Sequence, residues 1–201
     1  MVRSVTETSG RRDELLQLAA DLFARQGLRA TTVRDIADGA GILSGSLYHH
    51  FRSKEAMVDE ILRGFLDELF DAYRAVVATA LDSRSTLEGL VVRSFEAIHH
   101  RHAAVAIYQD EAKHLVKLPQ FSYIAERNTE FRELWIGVLQ RGVADGSFRD
   151  DLDLEVAYRF MRDTVWVAVR WYRPGGTLAA EQVAKQYLAI VLDGISAHPS
   201  S

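Results

Sequence analysis

The sequence predicts an all-α protein, and three observations carry that prediction. Long segments repeat apolar residues at three- and four-residue intervals, the spacing that lines one helical face. Only 13 Gly and 3 Pro interrupt 201 residues. No segment shows the strict alternation of a half-buried strand. With 48% hydrophobic residues the chain has enough material for a real core.

The elements follow in order. Residues before about Arg11 carry no apolar stripe and read as a tail. From Asp13, Leu15, Leu18, Ala19, Leu22 and Phe23 share one face, and Gly27 supplies a stop. Thr32 followed by Asp35 has capping-box spacing, which opens a short second helix that turns Val33, Ile36 and Ala37 inward. Gly39 to Gly41 end it. A third short helix begins near Ser44, with Ser44 as its expected cap, and Ser53 caps a fourth that runs through Met57, Ile61, Phe65, Leu69 and Tyr73 to about Ala80. Further helices are expected near Thr86 to His102, Ala104 to Leu118, Phe121 to Asp145, Leu152 to Tyr172 and Thr177 to Ser196, which makes nine. The expected division is a tail over 1–10, a small helical unit over 11–53 and a larger unit over 54–201.

Several function classes fall away. The chain has no Cys, so disulfide frameworks, thiolate metal sites and cysteine catalysis are excluded. No Gly-x-Gly-x-x-Gly, P-loop, nucleophile elbow or HExxH is present, so an enzyme finds no support. The N-terminus lacks the apolar stretch of a signal peptide and no run approaches a membrane span, which points to a cytoplasmic protein without membrane contact. A net charge of −4 argues against indiscriminate coating of nucleic acid. The charge is uneven: through Glu55 eight basic residues face seven acidic ones, so the acidic excess lies in the C-terminal part.

Two short helices joined by a glycine-bearing turn and braced by a longer preceding helix form a helix-turn-helix pattern, whose second helix enters the major groove. Leu47 and Phe51, four apart, should pack inward on the first and fourth helices. Ser44, Gly45, Ser46, Tyr48, His49 and His50 then remain outside, a set of short donors, acceptors and rings suited to base edges and phosphates. Thr32 and Arg34 stand at the start of the preceding helix. Lys54, a cation in a first helical turn, opposes the macrodipole unless an anion lies close, and a DNA phosphate is the expected one.

The stretch TTVRDIADGAGILSGSLYHHFRSKEAMVDEIL resembles the N-terminal signature of TetR-family transcriptional regulators. That resemblance implies a nine-helix fold, an obligate homodimer, a small DNA-binding domain for a pseudo-palindromic operator on double-stranded DNA, and a C-terminal domain that binds an effector. The chain departs from the family pattern once. The family commonly has a Ser or Thr cap and then a basic residue or Pro before the recognition-helix Gly, where this chain has Leu43 and Ser44.

In the C-terminal half, LEVAYRFMRDTVWVAVRWY is apolar nearly all round, with Phe160, Thr164, Val167 and Trp171 on one face and Val165 and Val169 opposite. Such a helix must bury both faces, which predicts a dimer interface built from the last two helices and their symmetry mates. Arg162, Trp166 and Arg170, four apart, are expected on one row. Ion pairs with Asp163, Asp153 or another helix account for the arginines. So does an anionic ligand that pairs with them while Trp166 stacks on its flat or apolar part. Phe121, Tyr108 and Trp135 are further candidates for the ligand wall.

His99, His100 and His102 with Glu96 have spacing that zinc accepts, though solvated histidines at a helix end are the commoner meaning, so no metal is expected. From RRDELLQLAADLFARQGLRATTVRDIADGAGILSGSLYHHF through FEAIHHRHAAVAIYQDEA to DTVWVAVRWYRPGG the chain is similar to the TetR-type repressors of sterol catabolism. That likeness implies control of genes for degrading the last sterol rings and side chain. It also implies release from DNA by a CoA thioester of a two-ring sterol fragment, with no other cofactor. A different acyl-CoA or hydrophobic small molecule is the alternative effector.

Overall fold

The computed structural model describes residues 3–196. Nine α-helices make up most of it, with short 3₁₀ turns at Pro119–Phe121 and Val167–Arg170 and, among the described residues, no strand. The helices are α1 (Arg3–Gln26), α2 (Val33–Gly39), α3 (Ser44–Tyr48), α4 (Lys54–Thr79), α5 (Ser83–His100), α6 (His102–Leu115), α7 (Tyr123–Ala144), α8 (Leu154–Trp166) and α9 (Ala180–Ile195).

Helix α1 reaches back to Arg3, so the segment expected as a tail is helical from that residue. It contains no proline, and one glycine, Gly10, weakens a helix by only about 1 kcal/mol. Its inner face, Leu15, Ala19, Leu22 and Phe23, is buried. Gly27 at φ +86° closes the helix in the left-handed region, where a side chain is strained. Thr32 and Asp35 form the anticipated capping box: Thr32 Oγ1 accepts from the Asp35 amide at 3.1 Å, and the Thr32 amide donates to Asp35 Oδ2 at 2.7 Å.

Helix α4 is 26 residues long, which spans about 39 Å. Met57, Val58, Ile61 and Leu62 on its first half and Leu66, Leu69, Phe70 and Tyr73 on its second belong to one continuous core, which also takes in Leu15, Ile36, Leu47 and Phe51. One rigid rod therefore serves both units. Helix α1 also packs on α6, and α5 packs on α4, α7 and α9.

Several boundaries differ from expectation, among them the end of α6, which stops at Leu115 rather than Leu118. Helix α5 starts at Ser83 rather than Thr86, because Asp82 Oδ1 accepts the Ser85 amide at 2.7 Å and acts as the cap. Helix α8 ends at Trp166 and tightens into the 3₁₀ turn, instead of running to Tyr172. Helix α9 starts at Ala180, three residues after Thr177. An isolated antiparallel bridge between Phe148 and Ser196, with the Arg149 amide donating to the Ile195 carbonyl at 2.9 Å, fastens the α7–α8 turn to the end of α9.

Candidate nucleic-acid interface and effector site

In α3 the inside and outside sort as the spacing predicts. Leu47 is 2% exposed and Phe51 is buried, whereas Gly45, Tyr48 and His49 are exposed and Ser44, Ser46 and His50 partly so. Tyr48, at 56% exposure, is a large ring turned to solvent from a five-residue helix. The turn is braced from behind. Arg12 makes a two-pronged ion pair with Glu60 on α4 and stacks its guanidinium 4.5 Å from the Phe51 ring centre. The carboxylate partner raises the Arg12 pKa. Arg11 donates to the Ala40 carbonyl at 2.9 Å, fixing the end of α2.

Two expectations need correction here. Ser44 is the first helical residue, and the capping position falls on Leu43, which makes no side-chain hydrogen bond. Leucine has no acceptor to offer, so the first amides of α3 gain none from that side chain. Lys54 has its anion-like partners inside the protein. Its ammonium donates to the Leu28 carbonyl at 2.7 Å and the Thr31 carbonyl at 3.0 Å, fastening α4 to the α1–α2 turn. Two of its three donors are thereby committed.

Thr32 is exposed but spends its hydroxyl in the cap, donating to Asp35 Oδ2 at 2.8 Å. Arg34 is exposed and loosely paired with Asp38 at 3.5 Å. Two further residues near α3 are exposed. Leu43 is 80% exposed at the mouth of α3, an apolar group suited to a thymine methyl. Arg52 is exposed directly after Phe51, where a phosphate contact needs a cation.

The six effector candidates divide. Trp166 is buried and meets Phe65 edge-on at 6.2 Å and Phe131 at 6.1 Å. Tyr108 approaches Phe65 at 6.0 Å and donates to Asn128 Oδ1 at 2.6 Å; burial pushes its phenol up to about 12. Trp135 is fully buried and stacks on Phe131 at 5.5 Å. These three thus share one aromatic cluster. Phe121 does not join it. It is fully buried in the 3₁₀ turn before α7, beside Tyr123 at 6.4 Å.

The expected arginine row is broken. A 3₁₀ turn advances about 120° per residue instead of 100°, so Arg170 swings roughly 80° away from the line through Arg162 and Trp166. It pairs across to Asp110 on α6 at 3.2 Å and lines a groove of about 1440 Å³ between α1, α4, α6 and the turn after α8. Arg162 keeps its place at the rim of the cluster. It pairs with Asp163 at 2.7 Å, which raises its pKa, and lies 5.4 Å from the Tyr158 ring centre.

Among the described residues no three His, Asp or Glu side chains are grouped so as to hold a metal ion. His99 Nδ1 is 2.6 Å from the Tyr172 hydroxyl, His102 Nε2 is 3.2 Å from the Tyr172 carbonyl, and Glu96 pairs with Arg93 at 2.6 Å. These histidines instead tie the α5–α6 junction to the chain leaving α8.

One face of α8 and of the 3₁₀ turn after it is bare. Val165 and Val169 are enclosed, but Phe160 is 69% exposed, and Val156, Val167 and Trp171 are also open. On α9, Ile190 is 76% exposed.

Comparison with known proteins agrees with this architecture. Residues 15–61 match the model of bacterial regulatory proteins of the tetR family, and residues 80–195 match that of tetracyclin repressor-like C-terminal domains. The chain is 71% identical over 188 residues to the HTH-type transcriptional repressor KstR2 of Rhodococcus jostii RHA1, covering 94% of this chain and 92% of that protein. It is 62% identical over 196 residues to the repressor of the same name from Mycobacterium tuberculosis H37Rv, covering 98% of each. The structure of the ketosteroid transcriptional regulator KstR2 of Mycobacterium tuberculosis superposes with a TM-score of 0.92 at 61% identity, covering 98% of both chains. These relatives are named as regulators and none as an enzyme. The chain therefore belongs to the TetR family of bacterial transcriptional regulators.

Proposed function

We propose that the protein is a cytoplasmic, homodimeric repressor that holds a pseudo-palindromic operator through paired α3 helices and leaves it when a CoA thioester from sterol-ring degradation binds. The observation that carries the DNA-binding part is the exposed face of α3: Gly45, Tyr48 and His49 stand outward from a helix anchored by a 2% exposed Leu47. Ser44, Ser46, His50, Leu43, Arg34 and Arg52 extend that face, with Thr32 and Lys54 holding its frame. No helix among the described residues is long and apolar enough to cross a membrane. The 61% identical solved relative is a ketosteroid transcriptional regulator, which supports the sterol assignment.

The effector reading rests on chemistry at the α8 rim. An acyl-CoA joins phosphates to an apolar acyl group, and Arg162 beside the cluster of Trp166, Tyr108 and Trp135 offers a cation next to aromatic faces. Arg170, turned toward Asp110, serves a neighbouring surface, and Phe121 supports the core. The ligand need only prefer the conformer whose two α3 helices are wrongly spaced for successive major grooves. That difference in affinity is the coupling energy, typically about 1–3 kcal/mol. Helix α4 is the mechanical link, because Lys54 at its start is tied to Leu28 and Thr31 while Tyr73 toward its other end packs on Phe131 and Trp135 of α7.

The test is a gel shift on pseudo-palindromic DNA selected by the protein from a random pool, repeated across salt concentrations and with CoA thioesters of increasing ring size. Specific binding that weakens steeply with salt is expected, followed by release with two-ring thioesters. Specific binding with no release by any thioester would retain the repressor and remove the effector class.

A further inference from the structure

The helices α2, α3 and α4 do not begin alike. Thr32 caps α2 by accepting the Asp35 amide, and Ser53 caps α4 by accepting the Ala56 amide at 3.1 Å. Between them α3 begins at Leu43, whose side chain makes no capping bond. Ser, Thr, Asp and Asn stabilise that position, and leucine is among the poorest residues for it. The same leucine leaves its apolar group in water at 80% exposure. An exposed leucine alone is ordinary. One that takes a capping position at the entrance of the helix meant for the groove works twice against the free protein, so its reason lies outside it.

The backbone holds this side chain in a fixed place. Ile42, one residue earlier, packs against the core, and its amide donates to the Ala37 carbonyl at 3.0 Å. The Leu43 carbonyl accepts the Ser46 amide at 2.8 Å, and Leu47, four residues on, is buried. Continued as helix, Leu43 would stand one turn above Leu47 on the inward row. Its ψ of 144° takes it off that row and leaves the side chain open at the start of α3.

In a helix-turn-helix complex the first residues of the second helix meet the base edges. The major groove presents donors and acceptors at every base pair and a single kind of apolar group, the thymine C5 methyl. An isobutyl group set against a cytosine amine or a guanine oxygen strips water from it and offers no bond in return. Against a thymine methyl both surfaces leave water favourably. The next three residues, Ser44, Gly45 and Ser46, are too short to hold Leu43 away from a base. We propose that Leu43 is a specificity residue for the operator, packing on the C5 methyl of one thymine in each half-site and so selecting that base. This rests on the DNA-binding reading above and adds a base that the operator must carry.

The experiment uses the full-length protein and the pseudo-palindromic DNA that it selects from a random pool. Each thymine is replaced in turn by uracil, symmetrically in both half-sites, which removes the methyl and keeps the base pair. At one position the replacement should weaken binding of the wild type about tenfold, and at that position it should have no effect on Leu43→Ala, which already lacks the contact. Leu43→Ser guards against a poorly folded alanine variant. Its hydroxyl can cap α3, so it should raise the urea midpoint while losing the same methyl preference. A leucine that acts only by setting the pose of α3 would, when replaced, weaken the thymine and uracil operators equally and leave their ratio intact, which overturns the proposal. A wild type indifferent to every uracil replacement overturns it as well. A protein that selects no sequence overturns the DNA-binding reading together with this proposal, an outcome distinct from sequence-specific binding whose methyl preference ignores Leu43.

Discussion

Lys54 and Thr31 are joined across the base of the helix-turn-helix unit: the lysine ammonium donates to the Thr31 carbonyl at 3.0 Å while reaching Leu28 at 2.7 Å. The contact is partly buried, and it holds the first turn of α4 against the loop that sets the angle between α1 and α2. Replacing Lys54 with Met removes two charge-assisted bonds and leaves both carbonyls short of a partner. The expected loss is about 1–3 kcal/mol, read as a lower urea midpoint with an unchanged slope. A lysine serving only DNA phosphate would leave the midpoint alone and reduce the salt dependence of operator binding by about one.

Gly45 separates helix propensity from DNA approach. A Cβ built there meets nothing within 4 Å, and α3 holds the residue without a positive φ. Gly45→Ala should therefore leave the free protein as stable as before or firmer by about 0.5–1 kcal/mol. The added methyl faces the surface that enters the groove, so operator affinity should fall roughly tenfold, about 1.4 kcal/mol. Stability and affinity moving in opposite directions is the signature of close backbone contact. Unchanged affinity in a gel shift would remove Gly45 from the interface.

The helix-turn-helix unit was readable because its signals are local. The Thr32–Asp35 box, the glycine stop at 27 and the four-residue spacing of Leu47 and Phe51 each act within one turn of chain. The effector region was less readable because its outcomes depend on distant partners. Arg170 answers to Asp110, 60 residues away, and leaves its row because α8 tightens at Val167. His99 and His102 are spent on Tyr172, more than 70 positions along the sequence for one and 70 for the other. Lys54 shows the same limit. Its first-turn position correctly signalled a need for negative potential, but the carbonyls that provide it come from residues 28 and 31.

Acid should loosen the helix termini. Asp35 is held below its ordinary value of 3.8 by the Thr32 amide and hydroxyl, Asp82 by the Ser85 hydroxyl and amide, and Asp145 by the Ser147 and Ser83 hydroxyls. A carboxylate whose folded pKa is depressed contributes stability that is fully present above its unfolded value and is lost as the pH falls through the folded one. Stability to urea should therefore stay flat through mildly acidic pH as far as these groups are concerned, and decline below 3.8. Ser85→Ala, which relieves the leading cause at Asp82, should make that decline shallower. An identical acid limb in the variant would show that the Asp82 cap contributes nothing measurable.

Phe160 and Ile190 test the pairing of the C-terminal half. Both lie open on a single chain, at 69% and 76%, and each sits on a helix whose other face is buried, through Tyr158, Met161 and Val165 on α8 and through Ala184 and Leu192 on α9. On a free surface a change to Glu alters stability by no more than about 0.5 kcal/mol. At an isologous interface it buries a carboxylate, twice per dimer by symmetry. Phe160→Glu and Ile190→Glu should therefore yield monomers in sedimentation equilibrium, with helix content by circular dichroism retained. Operator binding should fall with them, because a monomer engages one half-site and forfeits the second at high effective concentration. Dimers that persist in both variants would mean that some other surface joins the two copies, and the open faces of α8 and α9 would then require a different partner.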